Sequence, residues 1–305
     1  MATPARQQYL DIKAQHQDQI LLFRMGDFYE TFDDDARIVA RELEIALTSR
    51  EMGKGEKIPL AGIPYHSLNS YLGRLINRNY KVAICEQVSD PKLSKGIVDR
   101  RVVRVATPGT IVEESLLSSE LNNFLAAVII SEPHSGLAYI DLTTSEFFTS
   151  QMKTSELASE ISRIDPKEII TSSTKQINDL TSLPNNITEI EHSYFNLKVS
   201  TDSLKNHFST QTLEPFGCEN MPVASRAAGA IIQYITNNHS GSLPSITSLK
   251  TYSTDSVMTL DNQTRRNLEL FTSGKFESDK TSLYTTLNRT VTPMGGRLLR
   301  SMLGR

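Results

Sequence analysis

The first third of the chain alternates short apolar runs with helical stripes, a pattern typical of a mixed α/β domain. Residues 20–23 are apolar and are followed closely by Gly26, which predicts a buried strand that ends in a turn. Apolar side chains then recur every three or four positions from Asp34 to about Leu47, with acidic residues in the first turn. This spacing predicts a helix with Asp33 as its N-cap.

Further elements follow in the same region. Residues 50–57 have the composition of a glycine-rich hairpin tip that carries two lysines. A second helix is predicted after His66, because the next apolar residues fall on one stripe. Strands are predicted over residues 80–88 and 101–106, and Pro108-Gly109 marks the end of this unit.

A second α/β pattern begins after residue 120. Residues 124–130 and 137–142 are predicted strands joined by a Glu-Pro-His-Ser-Gly turn, and residues 146–149 favour a third strand. A helix over residues 155–164 and a strand over residues 168–171 follow. Strands that give way to alternating helix and strand indicate an α/β domain.

The remainder of the chain is less regular. Residues 172–220 are polar and rich in Ser, Thr and Asn, and they predict no definite element. Helices are predicted from Pro222 to Ile235, over residues 261–272, and from Thr292 to the end. The apolar stripe of the last helix either docks on an earlier domain or marks the chain as the front portion of a longer protein.

Length and composition exclude several classes of protein. A chain of 305 residues is expected to form two or more domains. Polar residues interrupt every apolar segment, and the N-terminus has no apolar core, so a membrane span and a secretory signal are not expected. Cys85 and Cys218 are far apart, which excludes a disulfide scaffold and favours a reducing compartment. The histidines lack ligand spacing, so a metal site would have to use carboxylates.

Charge is distributed unevenly along the chain. Residues 1–104 carry 16 basic and 14 acidic side chains, residues 105–222 carry 6 and 16, and residues 262–305 carry 8 and 3. The net charges are therefore +2, −10 and +5. A polyanion could touch the two basic ends and would be repelled by the middle, but for the charge alone ordinary solvated surface is the favoured explanation.

Six segments carry a resemblance to a known family. The first is residues 23–30 (Phe-Arg-Met-Gly-Asp-Phe-Tyr-Glu) with the following Thr-Phe-Asp-Asp-Asp-Ala. The other five follow in the family's order: residues 58–66, 82–87, 102–110, 264–270 and 290–297. Together they resemble the MutS family of DNA mismatch-recognition proteins. The chain departs from the family in having no G-x-x-x-x-G-K-[ST] sequence, the signature of an ATP-binding domain.

The resemblance implies an α/β multidomain fold. Residues 1–108 would form a mixed α/β mismatch-binding domain and residues 109–119 a linker. Residues 120–250 would form an RNase H-like α/β connector domain, and residues 251–305 the truncated beginning of an all-α lever domain.

The resemblance also implies partners and cofactors. The expected partners are mismatched double-stranded DNA, a MutL-like protein bound through the connector, and a second copy in a full-length homodimer, with no membrane involved. ATP and Mg²⁺ are expected only for the full-length family, so this chain is expected to bind no cofactor and not to be an enzyme. A cytoplasmic location associated with the bacterial nucleoid is expected.

Phe28 and Glu30 are the expected mismatch-reading pair. An extended backbone would place both on one face and turn Tyr29 inward. An aromatic wedge in the minor groove enters where stacking is already weak, and base–aromatic stacking contributes about 1–3 kcal/mol whatever the base. Glu30 would exchange a hydrogen bond with a base and penalise intact duplex by its charge. The structural alternative is a core aromatic residue beside a surface glutamate.

Further residues are expected at the DNA surface. Motif or loop position assigns some of them to the groove or the backbone, and the hairpin tip supplies two phosphate contacts. They are Met25, Asp27, Arg50, Arg100, Lys54 and Lys57.

Two rival functions remain open at this stage. Asp141, at the end of a predicted strand, could hold Mg²⁺ with Glu168 or Asp179 in an RNase H-like nuclease. The acidic middle could instead make the chain a scaffold that docks other repair proteins. Metal-dependent cleavage would separate the nuclease from the others, and a preference for mismatched duplex would separate the sensor from the scaffold.

Overall fold

The computed structural model describes residues 3–52, 57–88, 98–180, 186–238, 246–254, 260–271 and 281–304. The chain divides into two compact units. Unit 1 comprises Met1–Leu116 and Ile235–Leu243, and unit 2 comprises Leu117–Tyr234 and Pro244–Arg305. The domain limits expected at residues 108, 120 and 250 stay a prediction. Across the described ranges, helices are too short or too polar to cross a lipid bilayer.

Unit 1 is built around a mixed sheet. Its described strands lie in the order β3-β4-β2-β1-β5-β6, with β1 and β5 parallel and the other neighbours antiparallel. They are β1 (Ile20–Met25), β2 (Phe28–Phe32), β3 (Thr48–Glu51), β4 (Lys57–Pro64), β5 (Val82–Gln87) and β6 (Arg100–Ala106). The helices are α1 (Pro4–Gln15), α2 (Asp33–Leu43) and α3 (Leu68–Ile76). The mixed α/β architecture expected of this region is confirmed.

The helix α1 closes one face of this sheet. Tyr9 is 1% exposed, and its ring meets Phe23 and Phe32 edge-on at centroid distances of 5.5 and 4.8 Å. Such edge-to-face pairs are the favoured geometry for buried aromatic rings. Leu21 and Cys85 belong to the same cluster, so β1 and β5 form the centre of the core.

The predicted start of α2 is wrong in detail. Asp33 does not cap the helix from outside; it is the first helical residue, has a φ of 54°, and forms an ion pair with Arg6. The helix also ends at Leu43, because Glu44 adopts a left-handed conformation with a φ of 56°. Leu47 is 50% exposed and does not belong to the buried stripe.

The hairpin predicted over residues 50–57 is confirmed where the structure describes it. Strands β3 and β4 run antiparallel, and Glu51 lies opposite Lys57. The tip between them, including Lys54, lies outside the described residues.

Unit 2 contains the second α/β assembly. Its described strands lie in the order β11-β10-β7-β8-β9-β12. They are β7 (Phe124–Ser131), β8 (His134–Asp141), β9 (Glu146–Lys153), β10 (Glu168–Thr171), β11 (Ile187–Glu189) and β12 (Lys250–Thr251). The first three form an antiparallel meander, and β10, β11 and β12 add in parallel. This is the strand-rich start followed by α/β alternation that the sequence predicted.

The helices of unit 2 include several that the sequence did not predict. The described helices are α4 (Thr154–Ile164), α5 (Thr174–Leu180), α6 (Leu197–Phe208), α7 (Pro222–Asn238, of which the residues from Ile235 onward belong to unit 1), α8 (Asn262–Asn267), α9 (Leu283–Leu287) and α10 (Pro293–Leu303). Of these, α5, α6 and α9 were not predicted. The polar segment 172–220 in fact holds α5, β11 and α6. Helix α6 buries only Ser200 and Leu204 fully, so its apolar signal is weak.

The end of the chain agrees in part with the prediction. Helix α8 is shorter than the stretch 261–272 that was expected to be helical. Helix α10 begins as predicted, and the Thr292 hydroxyl accepts a hydrogen bond from the Gly295 amide at 3.2 Å. Its apolar side chains Met294, Leu298 and Met302 are 62–70% exposed.

Candidate nucleic-acid interface

A tight hairpin between β1 and β2 carries the predicted mismatch-reading pair. Met25 pairs with Phe28 across the strands, so Gly26 and Asp27 form a two-residue turn. Gly26 has a φ of 59°, a conformation that glycine adopts without strain and that a type II′ turn requires at its first central position. The turn therefore fixes where β2 begins and which way Phe28 faces.

Alternation along β2 separates the three motif side chains. Phe28 is 47% exposed, whereas Tyr29 is 3% exposed and lies on the opposite face. The side chain of Glu30 is 16% exposed and lies on the same face as Phe28. An exposed aromatic ring and a half-buried carboxylate thus stand side by side on the sheet.

Gly62 makes room between these two side chains. It lies on β4 opposite Glu30, and a Cβ added there would lie 3.8 Å from Glu30 Cγ and 3.8 Å from Phe28 Cδ1. A larger residue at this position would touch both functional side chains. Sequence reasoning missed this role, although a glycine inside a strand is a signal of close approach.

The charge of Glu30 is set by two opposing influences. Burial raises the pKa of this carboxyl above its ordinary value, while the cationic Arg50 and Arg100 lower it, and burial prevails. Arg50, on β3, places Nη1 3.5 Å from Glu30 Oε2. Glu30 therefore holds a proton more readily than a solvated glutamate does.

Arg100 lies beside the site but is engaged within the protein. Its Nε donates to the Arg24 carbonyl at 2.6 Å, and its Nη1 donates to Gln8 Oε1 and the Val98 carbonyl, each at 3.0 Å. The guanidinium also stacks over the Phe23 ring at 4.9 Å. Its charge acts on Glu30, while its hydrogen bonds fasten β6 to β1 and α1.

The other predicted contacts are divided between two hairpins, β1–β2 and β3–β4. Met25 packs against the core cluster of unit 1, and Asp27 is exposed in the turn. Arg50 is half exposed, and Lys57 is exposed at the first position of β4. The structure thus brings Phe28, Glu30 and Arg50 together. Lys57 lies apart from them, near the tip of the β3–β4 hairpin. Lys54 lies outside the described residues.

A second cluster that sequence reasoning missed lies on the reverse face of the hairpin. The Arg24 guanidinium lies 3.9 Å from the centre of the Tyr65 ring and 5.4 Å from that of Tyr29. The Tyr29 hydroxyl donates a hydrogen bond to Glu86. Burial and this bond raise the pKa of Tyr29 well above its ordinary value. The cluster unites three separate parts of the sequence, the hairpin β1–β2, Tyr65 and Glu86, so no local pattern could reveal it.

Two of the three carboxylates considered for a nuclease are occupied by structural bonds, and the third, Asp179, is exposed on α5. Asp141 is 1% exposed and accepts hydrogen bonds from the Asn123 and Thr143 amides at 3.0 and 2.8 Å. Glu168 is equally buried and accepts from the Thr188 and Tyr234 hydroxyls. Throughout the described ranges, no three His, Cys, Asp or Glu side chains are grouped so that they could hold a metal ion. The nuclease alternative is not favoured.

Comparison with known families accounts for nearly the whole chain. The family profile described as MutS domain I matches residues 3–115, MutS domain II matches residues 123–247, and MutS domain III matches residues 263–305. These matches define the class as a multidomain α/β protein built from three consecutive domains of the MutS type.

Individual relatives agree with this class. The chain is 51% identical over 302 residues to DNA mismatch repair protein MutS of Dehalococcoides mccartyi strain CBDB1, with 99% of this chain and 35% of the relative covered. It is 42% identical over 309 residues to the protein of that name from Halothermothrix orenii, with 99% and 34% covered. For Methanosarcina barkeri the identity is 44% over 323 residues, with 99% and 36% covered.

The chain belongs to the MutS family. It spans about a third of the length of the curated relatives it matches. The resemblance drawn from the six sequence segments is thereby confirmed.

Proposed function

We propose that this chain recognises mispaired or unpaired bases in duplex DNA and thereby serves DNA mismatch repair. The observation that carries the proposal is the pairing of a half-exposed Phe28 with a half-buried Glu30 on one face of a tight hairpin. This hairpin lies within the MutS domain I match, and the relatives are named DNA mismatch repair proteins.

Phe28 acts as an apolar wedge. A mispair weakens stacking, so unstacking one step and kinking the helix there costs less than in intact duplex. An aromatic ring that enters from the minor groove replaces part of the lost stacking, by about 1–3 kcal/mol, without reading the base. The 47% exposure of Phe28 at the hairpin leaves its ring available for such a contact.

Glu30 supplies discrimination. A carboxylate close to the phosphates is repelled by any duplex, and that penalty is offset only where it bonds to a base. Because its pKa is raised, Glu30 takes up a proton more readily than a solvated glutamate, and the protonated acid can donate a hydrogen bond to a base acceptor. Arg50, 3.5 Å away, neutralises the charge in the absence of DNA and is also placed to meet a phosphate.

The remaining expectations concern the longer protein. Within this proposal, the connector domain expected over residues 120–250 docks a MutL-like partner. ATP, Mg²⁺ and the homodimer belong to the full-length family. The chain itself is expected neither to bind nor to hydrolyse ATP, because its sequence holds no phosphate-cradling loop. Saturable ATP turnover by the purified chain would contradict this last expectation.

The test is a titration of the purified 305-residue chain with two duplexes that differ only in one G·T mispair. At low salt, the mismatched duplex should bind more tightly, and both affinities should fall steeply towards physiological salt, because few contacts beyond phosphates hold the duplex. Equal affinity for the two duplexes at every salt concentration would overturn the proposal.

A further inference from the structure

We propose that Arg24 is a positioning residue that locks the hairpin carrying Phe28, so that the ring keeps its orientation when it is pressed between base pairs. The inference rests on the proposed function, because it assigns to Arg24 a role that is exercised only through Phe28. The residue lies one strand away from Phe28 and on the opposite face of the sheet.

Arg24 first fixes the turn itself. Its Nε donates a hydrogen bond to the Gly26 carbonyl at 2.5 Å, and Gly26 is the first central residue of the turn. The side chain is only 18% exposed, so its atoms are held rather than solvated. This bond ties the end of β1 to the residue whose positive φ determines the start of β2.

Tyr65 holds the turn from a second direction. Its backbone amide donates to the Asp27 carbonyl at 2.9 Å, so the second central residue of the turn is tied to the segment after β4. The Arg24 guanidinium lies 3.9 Å from the centre of the Tyr65 ring. Stacking of this kind is worth most when the cation is partly desolvated, as Arg24 is. Arg24 therefore bonds one carbonyl of the turn and stacks on the residue whose backbone amide bonds the other.

The contacts continue beneath β2. Tyr29, the residue next to Phe28, lies across the hairpin from Arg24, and its ring centre is 5.4 Å from the guanidinium. Its hydroxyl donates to Glu86 on β5, and Arg24 Nη1 lies 3.9 Å from the same carboxylate. The reverse face of the hairpin is thus bound to β5, on the far side of β1.

This arrangement answers a mechanical need of the proposed wedge. A two-residue turn at the end of two strands could bend away when its exposed ring meets stacked bases. A binding residue is effective when packing and hydrogen bonds behind it hold its geometry in advance. Arg24 provides this support on the face away from the DNA.

The competing role for Arg24 is a direct contact with a phosphate, and two substitutions separate the roles. In Arg24→Gln, Nε2 occupies the position of the arginine Nε and can still donate to the Gly26 carbonyl, but the charge is lost. In Arg24→Lys, the charge is kept, but a methylene stands at that position. A positioning role predicts that Gln preserves mismatch preference better than Lys. A phosphate contact predicts the reverse, with Gln weakening both duplexes equally.

A double-mutant cycle with Phe28→Ala gives the decisive measurement. Arg24→Ala should lower affinity for mismatched duplex by roughly three- to tenfold, comparable to the loss of one net hydrogen bond, and leave intact duplex unchanged. In the Phe28→Ala background, Arg24→Ala should have almost no further effect, because the ring it positions is absent. Urea unfolding identifies the folded variants, and Arg24→Gln and Arg24→Lys replace Arg24→Ala in the cycle if that variant does not fold.

The outcomes separate this inference from the proposed function. If Phe28→Ala abolishes mismatch preference and the Arg24 variants keep it, Arg24 has no positioning role while the proposed function stands. Additive losses in the double mutant would also overturn the inference. If Phe28→Ala itself leaves mismatch preference unchanged, the proposed function fails before Arg24 is considered.

Discussion

Arg50 on β3 and Glu30 on β2 form an ion pair that spans the intervening strand β4, with Nη1 and Oε2 3.5 Å apart, beside the exposed ring of Phe28. The two side chains differ in solvent exposure: the glutamate is 16% exposed and the arginine is 52% exposed. The arginine can therefore leave for a phosphate at little cost, whereas the carboxylate stays beside Phe28. The energetic consequences of this asymmetry can be measured.

Glu30→Ala should strengthen binding to intact duplex. The substitution removes a carboxylate that repels phosphates, and it releases Arg50 to contact them. Mismatch preference should fall because the intact duplex binds more tightly. Titration of both duplexes at fixed salt checks this, with Asp11→Asn on α1 as a control for loss of one exposed negative charge. Weaker binding of intact duplex by Glu30→Ala would show that the carboxylate serves the protein's own structure.

The raised pKa of Glu30 predicts a pH-dependent stability difference from Glu30→Gln. Below the ordinary pKa near 4.5, Glu30 is protonated in both the folded and the unfolded chain and resembles Gln. As pH rises through the raised folded pKa, the folded chain must accept an unfavourable charge and loses this contribution to stability. The Gln variant should therefore become progressively more stable relative to wild type. Urea unfolding from pH 4 to 7 measures the difference, and a constant or opposite trend would refute the assignment.

Asp141→Ala should destabilise unit 2 and should affect no catalytic activity. The substitution leaves the Asn123 and Thr143 amides without the buried Asp141 carboxylate that accepts from them, a loss of about 1.5–3 kcal/mol for hydrogen bonds to a charged group. Asp202→Ala on α6, which is exposed, should change stability by less than about 0.5 kcal/mol. Chemical denaturation compares the two. The nuclease alternative would be supported if the wild-type chain cleaved duplex DNA with Mg²⁺ and Asp141→Ala abolished that cleavage.

Both thiols should be unreactive in the folded chain. Cys85 and Cys218 are free and 0% exposed, and burial raises the pKa of Cys85 to about 12. Because the thiolate is the reactive species, a thiol-specific disulfide reagent near neutral pH should label neither residue quickly. In urea, where the chain is unfolded, both thiols should react rapidly. Rapid labelling of one thiol under native conditions would contradict the described packing around it.

The sequence predicted the parts of this structure that are encoded locally. Their hydrophobic period is visible within a few residues. Examples are the strand before Gly26, the helix after His66 and the meander that follows residue 120. The prediction that Asp33 caps α2 failed because a contact with Arg6, distant in sequence, accompanies a left-handed backbone at that position. Local preference for a cap was overridden by packing between α1 and β2.

The candidate site was predictable only in its central pair. Phe28 and Glu30 stand in one motif, and strand alternation placed them on one face, as the structure shows. The supporting residues come from several strands. Gly62 meets the pair through the register between β2 and β4, and Arg24 meets Tyr65 and Glu86, which lie far from it in sequence. No local pattern in a single sequence specifies these pairings.

The most direct test of the account is the affinity of Phe28→Ala for mismatched and intact duplex at fixed low salt. If Phe28 is the wedge, the mismatched duplex should lose about 1–3 kcal/mol of binding free energy, the contribution of one stacked ring, and the intact duplex should change almost not at all. Leu197→Ala in unit 2, where the side chain is 46% exposed, serves as a matched control and should bind both duplexes like wild type. An unchanged mismatch affinity, or an equal loss with both duplexes, would contradict the claim that Phe28 reads mispairs as a wedge.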